Sequence, residues 1–361
     1  MSATVFTNVS IYDGTGAKPY PGEVGVEGNR ITAVAKGAER LPRDGAKVID
    51  AGGMTLMPGL IEGHSHLCFI SAVDRILKDE MPPMERHFYY MLHNAKTMLD
   101  YGFTSSYTGG AVRPALECAL RDEIKAGWQP GPRLKASSFE RSVAGERNKW
   151  EMSYDEAMQF VRDMIDVDVD SLKLVIDGHG ARNPPHWYDL NYDERTIAEI
   201  TRLARENGMS TSAHTFTPEG IKRGARNGIR ILYHCQFADE EALDLIQARG
   251  NDVFVGPTVG VAWAGRENAI KTHGSLEEAL KKVGSFKSID AYYKVFPEFR
   301  KRGFKLTIGG DYGFPWNANG KNGRDLELFV NLFKYTPAEA WSAGTMLALF
   351  SASWQIPQAV A

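Results

Sequence analysis

Short apolar runs alternate with amphipathic segments along most of this 361-residue chain. From about residue 60, the segments between the runs repeat apolar residues at helical spacing, and several of them end in glycine, which is typical of helix C-termini. Strands that alternate with helices predict an α/β fold with a parallel sheet. Eight such units predict a (β/α)8 TIM barrel. The eight runs are "LIEGHSHL", "GFTSSYTG", "PRLKASS", "SLKLVIDG", "STSAHT", "IRILYHC", "DVFVGPTV" and "KLTIGGD".

The N-terminal part of the chain has a different pattern. Three β-rich runs, "TVFTNVSIYDG", "GEVGVEGNRITAVA" and "AKVIDAGGMTLMPG", are separated by Gly, Asn and Pro turns. They predict a small sheet of the kind found in a β-sandwich. We therefore expect an N-terminal β-rich subdomain at residues 1–58, a barrel at 59–345 and an atypical short tail at 346–361.

Composition and charge exclude several classes of protein. A net charge of −3 and a pI near 6.3 lack the basic footprint of a nucleic-acid-binding protein. The three cysteines, Cys68, Cys118 and Cys235, have no C-x-x-C spacing, which disfavours a disulfide framework or a cysteine zinc site. No apolar stretch approaches the roughly 20 residues that span a bilayer, and the N-terminus lacks a signal-peptide pattern. We expect a cytoplasmic homo-oligomer with a small-molecule substrate and without nucleic-acid or membrane partners.

Two histidines in "MPGLIEGHSHL" suggest chemistry at the end of the first barrel strand. His64 and His66 are two residues apart, so on a strand both imidazoles point to the same side. A zinc site needs three or four converging ligands, and histidine is common among them. The pair therefore permits a metal site but needs partners from elsewhere in the chain.

Other polar residues fall at the ends of later strands, which converge on one face of a barrel. They are Lys173 in "SLKLVIDG", His214 in "STSAHT", His234 in "IRILYHC" and Asp311 in "KLTIGGD". A buried lysine is costly unless it is paired or chemically altered, which makes Lys173 informative. Taken alone, His214 could be a structural histidine and Asp311 a helix N-cap or Asx turn. Their order at successive strand ends favours one shared site.

This ordered set resembles the amidohydrolase superfamily. The resemblance rests on "MPGLIEGHSHL" after a β-rich N-terminus, the lysine of "SLKLVIDG", the two later histidines and the aspartate after "FKLTIGG". The runs "GFTS", "SAHT", "VGPTV" and "TPAEAWSAGT" are similar to the prolidase-like and imidazolonepropionase-like branch. The resemblance covers about residues 5–345.

The resemblance implies two divalent metal ions, with zinc expected first and manganese, cobalt or iron as alternatives. It also implies a bridging hydroxide that attacks the substrate, with Asp311 accepting its proton and Lys173 carrying a carbamate formed from CO2. The implied ligands are His64 and His66 on the first ion, His214 and His234 on the second, Lys173 between the two and Asp311 on the first.

The loops that would recognise the substrate depart from the family pattern. The second strand ends in "SSYTGGA" without an Arg-Asp pair, and "SSFERSVAGERNKWE" lacks a glycine- and histidine-rich run. A dipeptide specificity therefore does not transfer. An arginine in these loops could bind a carboxylate through two hydrogen bonds, although solvated surface arginines are common. The predicted substrate-binding residues are Tyr107, Arg141, His179, Arg182 and Tyr233, the last of which should point away from His234 if strand neighbours alternate.

Three functions follow from these observations. The first is a binuclear metal-dependent hydrolase of an amide (peptide-like, N-acyl or aryl) or of a related carbamate or lactone. The second is a mononuclear aminohydrolase that deaminates a heterocycle, for which Glu219 lies poorly placed, five residues after His214. The third is a ligand-binding barrel with impaired catalysis, because the tail lacks the strands that would complete the N-terminal sandwich.

Overall fold

A mixed sheet forms the N-terminal part of the protein. The structure is a computed structural model that describes residues 3–69, 82–140, 152–178, 189–282 and 287–345. The strand order is β3-β2-β1-β4, and β5 also pairs with β1. Strands β2 and β3 are antiparallel to their neighbours, whereas β4 and β5 run parallel to β1. This sheet confirms the predicted β-rich N-terminus. Its strands are β1 (Thr4–Ile11), β2 (Tyr20–Glu27), β3 (Arg30–Lys36), β4 (Lys47–Asp50) and β5 (Thr55–Leu56).

Two parallel sheets follow, which confirms the predicted α/β class. In each of them the strands are neighbours in chain order. The first sheet contains β6 (Leu60–Ser65), β7 (Phe103–Thr108) and β8 (Arg133–Lys135). The second contains β9 (Ser171–Val175), β10 (Ser210–Thr215), β11 (Ile231–His234) and β12 (Phe254–Gly256).

Backbone hydrogen bonds join the two sheets at both edges. Beyond β8, the Ser138 amide donates to the Ser171 carbonyl of β9 at 2.9 Å. At the other edge, the Thr307 amide donates to Val255 of β12 at 3.0 Å, and the Gly63 amide of β6 donates to Ile308 at 3.0 Å. Residues 305–308 thus lie between β12 and β6, where the eighth strand was predicted.

The predicted eighth strand, "KLTIGGD", is not a regular strand. Only isolated bridges form there, at Leu306 and Tyr312. Gly309 has a φ of 151° and Asp311 a φ of 59°, and both angles lie outside the strand region. The regular strand therefore ends before Gly309, although the Asp311 amide still donates to the His64 carbonyl of β6 at 2.9 Å.

The helices pack their apolar faces against the parallel sheets. Helix α4, for example, buries Ile197, Ile200 and Ala204, which repeat at helical spacing. The sequence pattern missed α7 (Val259–His273), α8 (Leu276–Lys282) and α10 (Arg324–Asn331), and the predicted strand "DVFVGPTV" ends at Gly256. In the described residues the helices are α1 (Met84–Asp100), α2 (Pro114–Lys125), α3 (Tyr154–Asp166), α4 (Glu194–Glu206), α5 (Pro218–Arg226), α6 (Glu240–Arg249), α7 (Val259–His273), α8 (Leu276–Lys282), α9 (Lys287–Lys301), α10 (Arg324–Asn331) and α11 (Pro337–Ala343).

The N-terminal sheet contacts helix α11. The Tyr12 hydroxyl donates to the Ala338 carbonyl at 2.8 Å, and the Ser342 hydroxyl donates to the Gly14 carbonyl at 3.1 Å. The predicted boundary between residues 58 and 59 falls between β5 and β6, and the division into subdomains stays a prediction. The predicted tail at 346–361 lies outside the described residues.

Two further sequence expectations concern cysteines and membranes. All three cysteines lie in the described residues, where they are buried and form no disulfide. Among the helices of the described ranges, none is both long and apolar enough to cross a bilayer.

Candidate metal centre

Three predicted ligands meet where β6 ends. His64 is the penultimate residue of β6 and His66 follows the strand, and both side chains are about 1 % exposed. The Asp311 carboxylate lies 2.9 Å from His66 Nε2 and 3.5 Å from His64 Nε2. One ligand atom from each residue lies within 4.8 Å of the others. Two imidazole nitrogens and one carboxylate oxygen at this spacing suit a divalent cation.

A backbone carbonyl sets the tautomer of His66. His66 Nδ1 lies 2.8 Å from the Gly110 carbonyl oxygen, which can only accept a hydrogen bond. The proton of the neutral ring is therefore on Nδ1, and Nε2 presents its lone pair toward Asp311. Histidines that bind metals are commonly oriented in this way by a carbonyl behind the ring.

Lys173, on β9, reaches the same cluster. Its Nζ is 3.3 Å from His64 Nε2, donates to the Gly109 carbonyl and lies 3.7 Å from a carboxylate oxygen of Glu140. Burial lowers the pKa of Lys173, whereas the charges of Glu140 and Asp311 oppose this change. The lysine is thus buried as predicted, and its ammonium has an acidic partner that the sequence did not identify.

His214 and His234 form a second pair beside this cluster. His214 Nδ1 lies 2.8 Å from His234 Nε2, and His234 Nδ1 contacts the Thr258 hydroxyl. The ring centroids of His234 and His64 are 5.7 Å apart. The structure therefore brings together all six residues that were predicted as metal ligands, although their binding of a metal stays a prediction.

Burial and neighbouring charges give the histidines different proton affinities. Burial, together with the positive charge of Lys173, holds the pKa of His64 well below its usual value. For His66, burial lowers the pKa, but the hydrogen bond and charge of Asp311 outweigh it and the pKa is raised. A neutral His64 keeps a lone pair available for a metal ion.

Two observations test whether the residues fit a metal. His64 Nδ1 is buried and has no hydrogen-bond partner among the described residues. At Gly109, a Cβ atom would lie 1.9 Å from the His64 ring, so only glycine leaves room for the imidazole. The other ring nitrogen, Nε2, faces Asp311 and Lys173, so it is the His64 atom that a cation would bind.

Strained backbone conformations concentrate at the same end of the strands. His234, Cys235, Thr258 and Asp311 have φ values of 71°, 55°, 50° and 59°. Each is a non-glycine residue in the left-handed region, and three of them carry or contact predicted ligands. Such strain persists where surrounding contacts hold it, and it is frequent at functional sites.

The two predicted substrate-binding tyrosines lie in the interior of the protein. Tyr107 is fully buried, and burial raises the pKa of its hydroxyl. Substrate contact by Tyr107 stays a prediction. The other predicted residues of this group, Arg141, His179 and Arg182, lie outside the described residues.

Tyr233 also packs inward. Its ring stacks on His64 at 3.8 Å between centroids, and its hydroxyl donates to the Gly63 carbonyl at 2.8 Å. The expectation that Tyr233 points away from His234 and its site is therefore wrong. The left-handed conformation of His234 ends the strand, so the alternation of strand neighbours does not apply to it. Substrate contact by Tyr233 stays a prediction.

Sequence reasoning missed several acids around the site. Glu140 follows "SSF" after β8, so its place beyond a strand end was a usable signal. Glu62 is a fully buried acid within the apolar strand β6, the same signal that singled out Lys173. Asp325, at the start of α10, had no local signal, because only the fold brings that helix to the site.

Comparison with known proteins identifies relatives of part of the chain. No family model matches it. Imidazolonepropionase from Geobacillus kaustophilus (strain HTA426) is 28% identical over 236 residues, which are 61% of this chain and 52% of that protein. Ochratoxinase from Aspergillus niger is 25% identical over 173 residues, 48% of this chain and 34% of that protein. The matches span about half or less of these relatives' own lengths.

Solved structures share the fold over nearly the whole chain. A prolidase in complex with N-methylphosphonate-L-proline superposes with a TM-score of 0.83 at 22% identity, covering 99% of this chain and 90% of the other. Aspergillus niger ochratoxinase gives 0.78 at 18% identity, covering 99% and 86%. These likenesses show a common fold. Together with the sequence matches, which relate part of the chain to imidazolonepropionase and ochratoxinase, they are consistent with the predicted resemblance to the amidohydrolase superfamily.

Proposed function

We propose that the protein is a metal-dependent hydrolase that cleaves an amide or a related C–N or C–O acyl bond. We also propose that its two parallel sheets form one closed (β/α)8 barrel, with the metal centre at the C-terminal ends of the strands. One observation carries the proposal: four histidines, Lys173 and Asp311 from different strands converge within one buried cluster. Active sites of such barrels lie at this end.

The cluster divides into two candidate cation sites. His64, His66 and Asp311 would hold one divalent ion, and His214 and His234 would hold the other. Lys173 lies beside the first set and would join the two as a carbamate. Divalent ions bound there supply Lewis acidity and lower the pKa of a nearby water from 15.7 toward about 7. We propose zinc as the first candidate, since imidazole and carboxylate ligands also suit manganese, cobalt and iron.

Asp311 has the position required of a proton-transfer group. Its side chain is 13% exposed, whereas His64 and His66 are about 1% exposed, so the carboxylate faces the open side of the cluster. It can accept a proton there and return it to the leaving group of the substrate. The backbone turn, in which the Asp311 amide donates to the His64 carbonyl at 2.9 Å, keeps this carboxylate in place.

The substrate is proposed to be a small molecule with a peptide-like, N-acyl or aryl amide, or a carbamate or lactone. The amide classes are supported by the relatives, which include proteins named prolidase and imidazolonepropionase. The homo-oligomeric state and the cytoplasmic location stay predictions from the sequence.

A mononuclear aminohydrolase is the second candidate. His64, His66 and Asp311 alone satisfy the spacing of a single cation site. A deaminase of this kind would bind one ion per chain and leave Lys173 unmodified. A metal-binding barrel without turnover is the third candidate.

One experiment separates the three. The chelated protein is reconstituted with Zn²⁺, Mn²⁺ or Co²⁺ and bicarbonate, then assayed on dipeptides, N-acyl amino acids, aryl amides, carbamates, lactones and amino-substituted heterocycles. The expected result is two metal ions per chain and turnover that depends on them, with Asp311→Asn inactive. Turnover that persists after complete metal removal would contradict the proposal. One ion with deamination of a heterocycle would favour the second candidate, and bound metal without any turnover the third.

A further inference from the structure

The short segment 322–325, where helix α10 begins, contacts the turn that carries Asp311. Asp325 is fully buried. One of its carboxylate oxygens accepts a hydrogen bond from the Gly309 amide at 2.9 Å, and the other accepts one from the Tyr312 hydroxyl at 3.0 Å. Gly309 and Tyr312 flank Asp311 on both sides. The Asp325 carboxylate therefore holds this turn at two points.

The same segment also contacts the strand that carries the two histidines. Asn322 Nδ2 donates to one oxygen of Glu62 at 2.8 Å, and the other oxygen accepts the His64 amide at 3.0 Å. Glu62 and Asn322 are both buried. The segment thus reaches His64 and Asp311 through two separate hydrogen-bonded paths.

The geometry of the turn requires such support. Asp311 adopts a left-handed φ of 59°, a sparsely populated region for a non-glycine residue. Its amide donates to the His64 carbonyl at 2.9 Å, and a Cβ at Gly309 would lie 2.4 Å from the His64 backbone nitrogen. The turn and β6 are therefore in close contact, and small movements of either would separate Asp311 from the imidazoles.

We infer that Asp325 is a positioning residue for the metal triad, acting through the Gly309 amide and Tyr312 to set the separation between Asp311 and the two histidines. The inference rests on the proposed metal-dependent function. Asp325 does not touch the ligand atoms, so it acts through the groups that flank Asp311. Groups that orient metal ligands in this way commonly contribute about 10- to 100-fold to metal affinity.

The test measures metal binding in variants of the full chain. Asp325→Asn replaces one accepting oxygen with a donor, and Tyr312→Phe removes only the hydrogen bond to Asp325. Glu327→Gln is the matched control, because Glu327 is exposed on the same helix. Zn²⁺ affinity is determined by competition with a chelator, and the visible spectrum of the Co²⁺-loaded protein reports the ligand geometry.

The expected result is an affinity about 10- to 100-fold weaker in Asp325→Asn, a smaller loss in Tyr312→Phe and an altered Co²⁺ spectrum in both. Glu327→Gln should match the wild type. Measurements are made well below each variant's Tm, so that a loss of stability alone does not alter the spectrum. Wild-type affinity and an unchanged spectrum in both variants would overturn the inference while leaving the proposed function intact. A wild-type chain that binds no divalent ion would overturn the proposed function and the inference with it.

Discussion

Burial governs the charge state of individual residues in the candidate site. His64 and Lys173 are both about 1% exposed, and for each the loss of hydration favours the neutral form. Glu140 and Asp311 oppose this effect at Lys173 through their negative charges. The balance matters because only a neutral lysine amine can react with CO2 to form a carbamate. A single carboxylate near Lys173 can therefore change the fraction of neutral amine, and with it how readily the carbamate forms.

Replacing Glu140 with glutamine should lower the pKa of Lys173 further. Glu140 is the largest cause that raises this pKa against burial, so its removal favours the neutral amine. At a given pH, the metal-free variant should therefore carry a larger fraction of reactive amine than the wild type. The measurement is pH-dependent labelling of Lys173 by an amine-specific reagent, read by mass spectrometry. The labelling midpoint should move to lower pH, with Lys135 as an internal reference, and an unmoved midpoint would contradict this assignment.

Replacing Tyr233 with phenylalanine should cost stability but preserve metal binding. The hydroxyl that is removed donates to the Gly63 carbonyl in the interior, and leaving this acceptor without a partner costs about 1–3 kcal/mol. The aromatic ring that stacks on His64 is retained. Denaturant unfolding measures the loss, and metal affinity is compared in parallel. Tyr233→Leu, which also removes the ring, should additionally weaken metal binding, and equal affinity in both variants would argue against a role for the stacking.

Buried acids connect neighbouring elements of the parallel sheets. Glu117, on α2, accepts hydrogen bonds from the Thr108 hydroxyl at the end of β7 and from the Ser137 amide beyond β8. Asp177, beyond β9, accepts the amides of Phe216 and Thr217 after β10. Each carboxylate satisfies backbone or hydroxyl donors of an adjacent strand end, where the ladder itself has ended. These hydrogen bonds hold in place the strand ends that carry the site residues.

Replacing Glu117 with glutamine should change how stability depends on pH. Burial raises the pKa of Glu117 from 4.5 to about 7, so the folded state binds this proton more tightly than the unfolded state. The wild type should therefore lose stability from this group as pH rises from about 4.5 to about 7, by about 3 kcal/mol in total. The variant keeps an acceptor oxygen but has no titration. The free energy of unfolding of both proteins is measured with urea at several pH values. The difference between the two free energies should change across this pH window, and a constant difference would contradict the raised pKa.

At the scale of the whole molecule, the site is assembled from parts that are distant in sequence. His66 and Asp311 are 245 residues apart and come within 2.9 Å of each other. They meet because residues 305–308 lie between β12 and β6 and join the two parallel sheets. Global folding and metal binding should therefore be thermodynamically coupled, since an unfolded chain does not hold these ligands together.

Divalent metal should raise the Tm of the whole protein. A ligand that binds only the folded state at about 100 times its Kd stabilises that state by about 2.7 kcal/mol. Thermal unfolding with Zn²⁺ and with a chelator measures the effect. Asp311→Asn is the control, because it weakens a proposed ligand while keeping the size of the side chain. A Tm that does not respond to metal in the wild type, or that responds equally in the variant, would contradict binding at this site.

Much of the fold could be predicted from periodicity, although not the details of the strand ends. Seven of the eight predicted strands occur as regular strands, β6 to β12, because apolar runs between amphipathic helices are a strong local signal. The eighth failed at Gly309 and Asp311, where tertiary contacts hold the backbone outside the strand region. Helix α10 was not predicted from the sequence, because no flanking pattern marked it. The contacts that Asp325 makes from this helix were therefore not predicted either.

The sequence by itself determined the alternation of strands and helices and the six polar residues at strand ends, because both are encoded in local residue order. Only the tertiary structure decided which atoms meet: His66 with Asp311, His214 with His234, and Lys173 with Glu140. The orientation of Tyr233 and the support that Asp325 gives to the Asp311 turn were decided there as well. These contacts join residues far apart in the chain, and their geometry depends on how the sheets pack, which no local pattern specifies.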